Sequence, residues 1–192
     1  MKTRSYKIRG VAPLVMHNAR LSDPLDKWTK LVAEISKKRK KTDADYLELS
    51  RREWFGGLYL DDDDKPRLLG KHLERMLRDA ATKSKLGKAV QAGLMVFDED
   101  VTALEFPGSK LSPDKLWDDG GYLLRASCKV GQARVLRTRP CFPKWAFAFT
   151  VNYDEDLLNG SQIDEFVDLA GRIVGLLDWR PKHGRFALES KS

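Results

Sequence analysis

Hydrophobic and polar residues alternate along several stretches of the chain and predict strands there. The clearest stretch is residues 145–151, where Phe147 and Phe149 alternate with smaller or polar residues. Apolar residues at every second position are typical of a strand that buries one face in the core. Residues 3–11 alternate in the same way and predict the first strand. The aromatic stripe could stack on nucleic-acid bases, but one buried sheet face explains all of it, so we interpret it as core.

Apolar residues at helical spacing predict helices between these strands. The predicted helices cover about residues 25–35, 43–54, 69–80 and 161–174. The third helix is expected to end at Gly87, because glycine is common just after a helix. Further strands are predicted at residues 55–60 and 186–189, and residues 91–97 and 101–106 are predicted to pair with each other around an acidic turn.

Residues 120–140 predict a basic β-hairpin, in which Gly131 and Gln132 connect two alternating runs. Residues 22–54 are predicted to be a helical insertion. The mixed order of strands and helices, joined by short connections, is typical of an antiparallel sheet packed against helices. The sequence therefore predicts a single α+β domain over residues 1–192.

The composition narrows the class of protein. Of 192 residues, 42% are apolar and 33% charged, with no run of 18 apolar residues and no apolar leader at the N-terminus. These features predict a cytoplasmic protein. Cys128 and Cys141 lack the spacing of a zinc site, and the four carboxylates of residues 61–64 stand in a row, which favours a solvated turn over a metal site. We expect no metal and no cofactor.

The charge indicates an anionic partner. The formal net charge is +7, and residues 120–153 carry six Lys or Arg and no Asp or Glu. Acidic residues are concentrated elsewhere, at residues 61–64 and 98–100. Segregated charge of this kind is typical of proteins that bind a polyphosphate backbone. The basic run of residues 37–41 fits either a nucleic-acid contact or a solvated helix end.

Few residues suggest catalysis. The chain contains none of the common phosphate-loop, serine-hydrolase or zinc-protease motifs. His17, His72 and His183 are its only histidines. A metal-free ribonuclease requires little more than a histidine, a cation and a 2′-hydroxyl held in line. His17 and His183 lie beside turn residues and could serve there, or they could contact phosphate or cap a loop.

The segment from Trp179 to Phe186 combines the features of a nucleic-acid contact. It carries three cations within six residues, and no acid lies between Asp178 and Glu189. Its proline and glycine exclude a helix. An arginine side chain can form a bidentate pair of hydrogen bonds with a phosphate group, and an indole ring offers a flat surface on which a base can stack. Trp179 fits either that role or a place in the core.

Residues 8–18, 66–80 and 161–186 together resemble segments of the RAMP superfamily, the RNA-binding proteins of CRISPR systems. Residues 8–18, Ile-Arg-Gly-Val-Ala-Pro-Leu-Val-Met-His-Asn, are similar to the family's first strand. Residues 66–80 resemble the glycine-containing opening of a helix in the backbone subunits, and residues 161–186 resemble the final helix and loop before the last strand. The chain is also similar to small phage and prophage proteins of unassigned function.

The resemblance implies a modified ferredoxin-like (RRM-like) fold, in which an antiparallel sheet carries helices on one face and the helical and hairpin segments are insertions. The backbone subunits of these complexes coat RNA as a filament, so the resemblance implies a similar role and self-association along the strand. Some members cut RNA with a loop aspartate. No position here matches that motif, so the resemblance does not extend to this activity.

Our leading hypothesis is therefore non-catalytic binding of single-stranded nucleic acid, with RNA favoured over DNA. The alternatives are a metal-independent endoribonuclease that uses His17 or His183, and a phage protein that imitates or inhibits a host RNA-guided complex through CRISPR or phage protein partners. The predicted binding residues are His17, Asn18, Arg20, Lys71, Arg75, Arg134, Arg137, Arg139, Trp179, Arg180, Lys182, His183 and Arg185.

Overall fold

The centre of the molecule is a four-stranded antiparallel sheet in which the first and last strands of the chain are neighbours. The computed structural model describes the backbone of residues 1–192 and every side chain except those of Val130 and Ala133. Its strands are β1 (Lys2–Gly10), β2 (Leu14–Val15), β3 (Leu94–Met95), β4 (Leu123–Val130), β5 (Ala133–Phe142), β6 (Ala146–Tyr153) and β7 (Phe186–Lys191). The central sheet has the order β3-β6-β1-β7, with every neighbouring pair antiparallel.

Six α-helices accompany the strands in the described backbone. They are α1 (Lys27–Ser36), α2 (Asp43–Gly57), α3 (Gly70–Ala81), α4 (Gly87–Gly93), α5 (Pro113–Asp119) and α6 (Gly160–Leu169). The prediction of a mixed α+β chain with antiparallel sheets is confirmed. Within the described residues, none of the helices is long and apolar enough to cross a membrane.

One face of the central sheet carries the core. Phe147, Phe149 and Val151 of β6 are buried together with Tyr6 and Ile8 of β1. The interpretation of the aromatic stripe as core is thus confirmed. The buried side chains of α3 and α6 belong to the same cluster, and Tyr6 donates a hydrogen bond to Asp164 of α6 at 2.8 Å. Helices α3 and α6 therefore lie against this face.

A second sheet, of order β2-β5-β4, adjoins the first. In the region of the predicted hairpin, β4 and β5 pair antiparallel from Leu123 opposite Pro140 to Val130 opposite Ala133. Helices α1 and α2 occupy the predicted helical insertion. Trp54 of α2 is fully buried and donates to the Tyr122 carbonyl at 2.8 Å, which fixes α2 against the base of the hairpin.

Three predictions about local structure are wrong. The first half of the strand expected at 55–60 is helix, because α2 continues to Gly57, and only Leu60 makes an isolated bridge, with Pro66. Gly87 begins α4 instead of ending a helix. The segments 91–97 and 101–106 do not pair with each other: Leu94 and Met95, and then Val101 and Glu105, lie along β6. Alternation predicts a strand-like segment but does not specify which strand it joins.

Candidate nucleic-acid interface

The terminal loop, residues 175–185, lies against the turn between β1 and β2. Gly184 N–H donates to the Pro13 carbonyl at 2.8 Å, and Asp178 N–H donates to the Val15 carbonyl at 3.0 Å. Gly184 has a φ of 71°, and a Cβ there would lie 2.1 Å from the Leu176 carbonyl oxygen. Only glycine fits this position. Because β7 pairs with β1, the loop is held at the same end of the sheet as His17.

A cavity of about 390 Å³ opens where this loop meets α3. It brings together four of the predicted binding residues, His17, Lys71, Arg75 and Arg180. It also includes residues that no sequence pattern indicated as ligand contacts. The remaining lining residues are Ala19, Tyr59, His72, Leu177 and Asp178. Residues that lie far apart in the chain thus form one concave surface.

Positive charge exceeds negative charge where α3 meets the terminal loop, next to this cavity; Arg75 and Arg180 belong to the cavity lining, and Arg78 and Asp79 lie beside it. The Asp79 carboxylate is shared by three guanidinium groups, with Arg180 Nη2 at 3.1 Å, Arg75 Nε at 3.5 Å and Arg78 Nη2 at 3.6 Å. Lys71, one turn before Arg75 on α3, is exposed and lines the same cavity. Asp178 also lines the cavity but pairs with Arg139, so Asp79 is left to balance three arginines and Lys71 adds further positive charge. The excess positive charge attracts an anion.

Two predicted contact residues have internal hydrogen bonds instead. The Arg20 guanidinium donates to the carbonyls of Phe55 at 2.7 Å and Gly56 at 2.9 Å, which are free at the end of α2. Asn18 accepts from Arg20 N–H at 3.0 Å and donates to the Leu58 carbonyl at 2.8 Å. These side chains hold the end of α2 beside the cavity, and their contact with a nucleic acid stays a prediction.

The predicted hairpin arginines differ in their surroundings. Arg134 is exposed. Arg137 is paired with the buried carboxylate of Glu53. Arg139 is only 8% exposed; its Nε lies 3.3 Å from Asp178, and its guanidinium carbon lies 6.0 Å from the centre of the Trp179 ring. The structure therefore places Arg139 underneath the terminal loop as a support.

Within the loop, the predicted residues are partly engaged with each other. Arg185 Nε donates to the Pro181 carbonyl at 2.7 Å, whereas Lys182 is exposed. Trp179 is half-buried and stands outside the main hydrophobic cluster, with the His183 ring 5.9 Å away. Part of the indole therefore remains accessible to a ligand.

Burial lowers the pKa of all three histidines. The positive charge of Arg139 lowers the pKa of His17 further, and the positive charge of Lys182 lowers the pKa of His183 further. The Nδ1 atoms of both are buried without a partner among the described residues. His72 accepts a hydrogen bond from Leu69 N–H at 3.1 Å, and burial lowers its pKa to about 4. The positive charge of the site therefore comes from Lys and Arg.

His72 makes stability depend on pH. Its pKa is 6.5 when unperturbed and about 4 in the fold, so the unfolded chain takes up a proton first as the pH falls. The contribution of His72 to the free energy of unfolding is complete above pH 6.5 and decreases as the pH falls toward about 4. By about pH 5 the decrease is about 2 kcal/mol. We expect urea unfolding to show this loss in the wild type and a smaller one in His72→Gln, which can still accept from Leu69 N–H. An equal loss of stability in the wild type and in His72→Gln would contradict the assignment of this pH dependence to His72.

Among the described side chains, no group of three or more His, Cys, Asp or Glu could hold a metal ion. No model of a known protein family and no curated protein sequence matches the chain.

Proposed function

We propose that the protein binds single-stranded nucleic acid, without cleaving it, at the cavity between the terminal loop and α3. The observation that carries the proposal is the cluster of Arg75, Arg78 and Arg180 around the single carboxylate of Asp79. A phosphodiester group that approaches this cluster meets guanidinium donors whose charge the protein has not balanced. Paired arginine donors bind phosphate oxygens strongly.

The shape of the site favours a single strand. A concave site of about 390 Å³ can take up an unpaired nucleotide unit, which a single strand can offer and a duplex with paired bases cannot. Trp179 stands half-exposed on the loop beside the cavity, whereas Tyr59 in the cavity wall is only 9% exposed and packs edge-on against His72. An exposed indole can stack on an unpaired base with little sequence preference. RNA is favoured over DNA on the strength of the RAMP resemblance.

We also propose that the central sheet with α3 and α6 is a ferredoxin-like unit. The four strands β1, β3, β6 and β7 follow the order 2-3-1-4 across the sheet when numbered along the chain. Helix α3 lies between the first and second of them, and α6 between the third and fourth. This β-α-β-β-α-β arrangement supports the proposal, with α1, α2 and the hairpin as insertions.

The test removes the cations of the cavity. In Lys71→Ala/Arg75→Ala/Arg180→Ala, we expect affinity for a labelled single-stranded RNA of about 20 nucleotides to fall about 100-fold. The slope of log K against log salt, measured by fluorescence anisotropy between about 50 and 200 mM salt, should become shallower by about 2, or about 0.7 for each phosphate that the variant no longer binds.

A matched control removes equal charge elsewhere. Lys110, Lys115 and Lys144 are exposed and lie outside the cavity lining, so the triple alanine variant at these positions should keep nearly the wild-type affinity. If both triple variants bind equally weakly, the protein responds only to net charge and the proposed site is wrong. Duplex RNA of the same length should bind more weakly than the single strand.

The ribonuclease alternative is supported by the place of His17. It lines the same cavity as Lys71 and Arg180, and a histidine with a lowered pKa is neutral near pH 7 and able to accept a proton. Incubation of labelled RNA with the protein in EDTA separates the hypotheses. Intact RNA supports binding alone, whereas cleavage that disappears in His17→Ala supports the enzyme.

A further inference from the structure

A second concave surface lies between α2 and β5, away from the terminal loop. This groove, which we call the α2 groove, has a volume of about 690 Å³. Three large apolar side chains line it while remaining more than half exposed: Tyr46 at 56%, Leu47 at 58% and Leu136 at 58%. Such a concentration of exposed apolar side chains indicates an interaction surface.

The surroundings of the α2 groove carry more positive than negative charge, although exposed Asp43 and buried Glu53 also line it and Glu53 pairs with Arg137. Arg125 and Arg134 line it and are exposed. Ser36 and Lys41 also line it, and they flank the exposed run of residues 37–40, Lys-Lys-Arg-Lys. An occupant must therefore offer apolar side chains for the floor and negative charge for the rim.

The chain itself carries a surface with these complementary properties. Met95 and Phe97 are 43% and 42% exposed, while Val96 between them is 5% exposed. The alternation places Met95 and Phe97 on the same outward side. Exposed Asp98 and Glu99 follow directly. We call residues 95–99 the acidic ridge. It begins in β3, which is the edge strand of the central sheet.

We propose that the acidic ridge of one copy docks into the α2 groove of a second copy. Phe97 and Met95 would cover Leu47 and Leu136, while Glu99 would face the cations of the rim. The two surfaces belong to different elements, so each copy offers one groove and one ridge. Such a head-to-tail contact extends into an open chain unless its rotation closes a ring.

The leucines favour a protein occupant over a nucleic acid. Bases stack on aromatic rings, and Tyr46 could serve them, but two exposed leucines of the groove offer no stacking surface. They match the apolar anchors of a protein interface. With only two apolar anchors on the ridge, we expect a weak association, with a dissociation constant between about 1 μM and 1 mM.

Two variants test the proposal by complementation. The groove variant is Leu47→Glu/Leu136→Glu, and the ridge variant is Met95→Glu/Phe97→Glu. By analytical ultracentrifugation without nucleic acid, the wild type should sediment faster as its concentration rises. Each variant alone should associate about 100-fold more weakly. An equimolar mixture should form dimers and nothing larger, because only one intact groove meets one intact ridge.

A control variant carries the same kind of change elsewhere. Val11 and Leu25 are exposed apolar residues, and Val11→Glu/Leu25→Glu should associate like the wild type. Circular dichroism must show that all variants are folded. A wild type that remains monomeric up to about 1 mM overturns the proposal. So does a mixture that fails to form dimers, or a groove variant that still associates normally.

The result is separable from the proposed nucleic-acid site. The groove and ridge variants should bind an RNA of about 8 nucleotides, the length expected for one domain, with wild-type affinity. If the groove variant instead loses that affinity while association is unchanged, the groove is a nucleic-acid surface and the docking proposal is wrong. The triple variant of Lys71, Arg75 and Arg180 should associate normally.

Discussion

Replacing Gly70 with alanine is expected to cost about 4 kcal/mol or more of the free energy of unfolding, the largest effect predicted for a single methyl group in this protein. Gly70 begins α3, and a Cβ there would lie 1.7 Å from the Val96 carbonyl oxygen and 2.7 Å from the Val96 carbonyl carbon. Both atoms belong to the backbone, so no side-chain rotation relieves the clash. Helix α3 would have to move away from residues 96–98.

Gly120→Ala is the control for this prediction. Gly120 has a φ of 73°, and nothing in the described chain lies within 4 Å of the position of its Cβ. Alanine there costs only backbone strain, about 1 kcal/mol. Urea denaturation followed by circular dichroism measures both variants. If Gly70→Ala unfolds no more easily than Gly120→Ala, the close approach of α3 to residues 96–98 is wrong.

The second large effect is expected at Glu53. This residue is 3% exposed; its carboxylate pairs with Arg137 and accepts from Thr138 N–H at 2.9 Å. In Glu53→Ala, the half-buried guanidinium and the buried backbone N–H both lose their partner. We expect a loss of about 3 kcal/mol in the free energy of unfolding, since breaking a buried pair leaves an uncompensated charge.

Glu34→Ala provides the comparison at the surface. Its carboxylate also pairs with an arginine, Arg52, at 2.8 Å, but the Glu34 side chain is 62% exposed. An exposed pair contributes about 0–1 kcal/mol. Equal losses in the two variants would mean that Glu53 is not the buried link between α2 and the hairpin. Because Arg134 lies on that hairpin, Glu53→Ala should also weaken association through the α2 groove.

The regular elements were predictable because local periodicity determines them. The alternation of Phe147 and Phe149 marks β6 whatever strand lies beside it, and the apolar stripe of Leu73 and Leu77 marks α3 in the same way. The segments that failed lack such an independent signal. Residues 55–57 remain helical because the Arg20 guanidinium, far away in sequence, binds the carbonyls at the end of α2.

The candidate site was predictable only in its parts. The cations Lys71, Arg75 and Arg180 stood out as charges in the sequence, and the structure places them on one cavity. No sequence pattern indicated a role for His72, yet its hydrogen bond with Leu69 N–H makes it a cap of α3. Arg139 looked like a phosphate ligand, yet it lies beneath the terminal loop against Asp178. Whether a charge faces solvent or an internal partner depends on distant residues.

The sequence by itself determined that this is an α+β chain with an excess of segregated positive charge, because both properties depend on residue type and short-range spacing. Tertiary structure alone decided which cations remain unbalanced. Asp79 of α3 meets Arg180 of the terminal loop because β7 pairs with β1 and brings the loop back to the turn at Pro13. Charge balance at a site is set by contacts between residues about a hundred positions apart, and no local pattern records them.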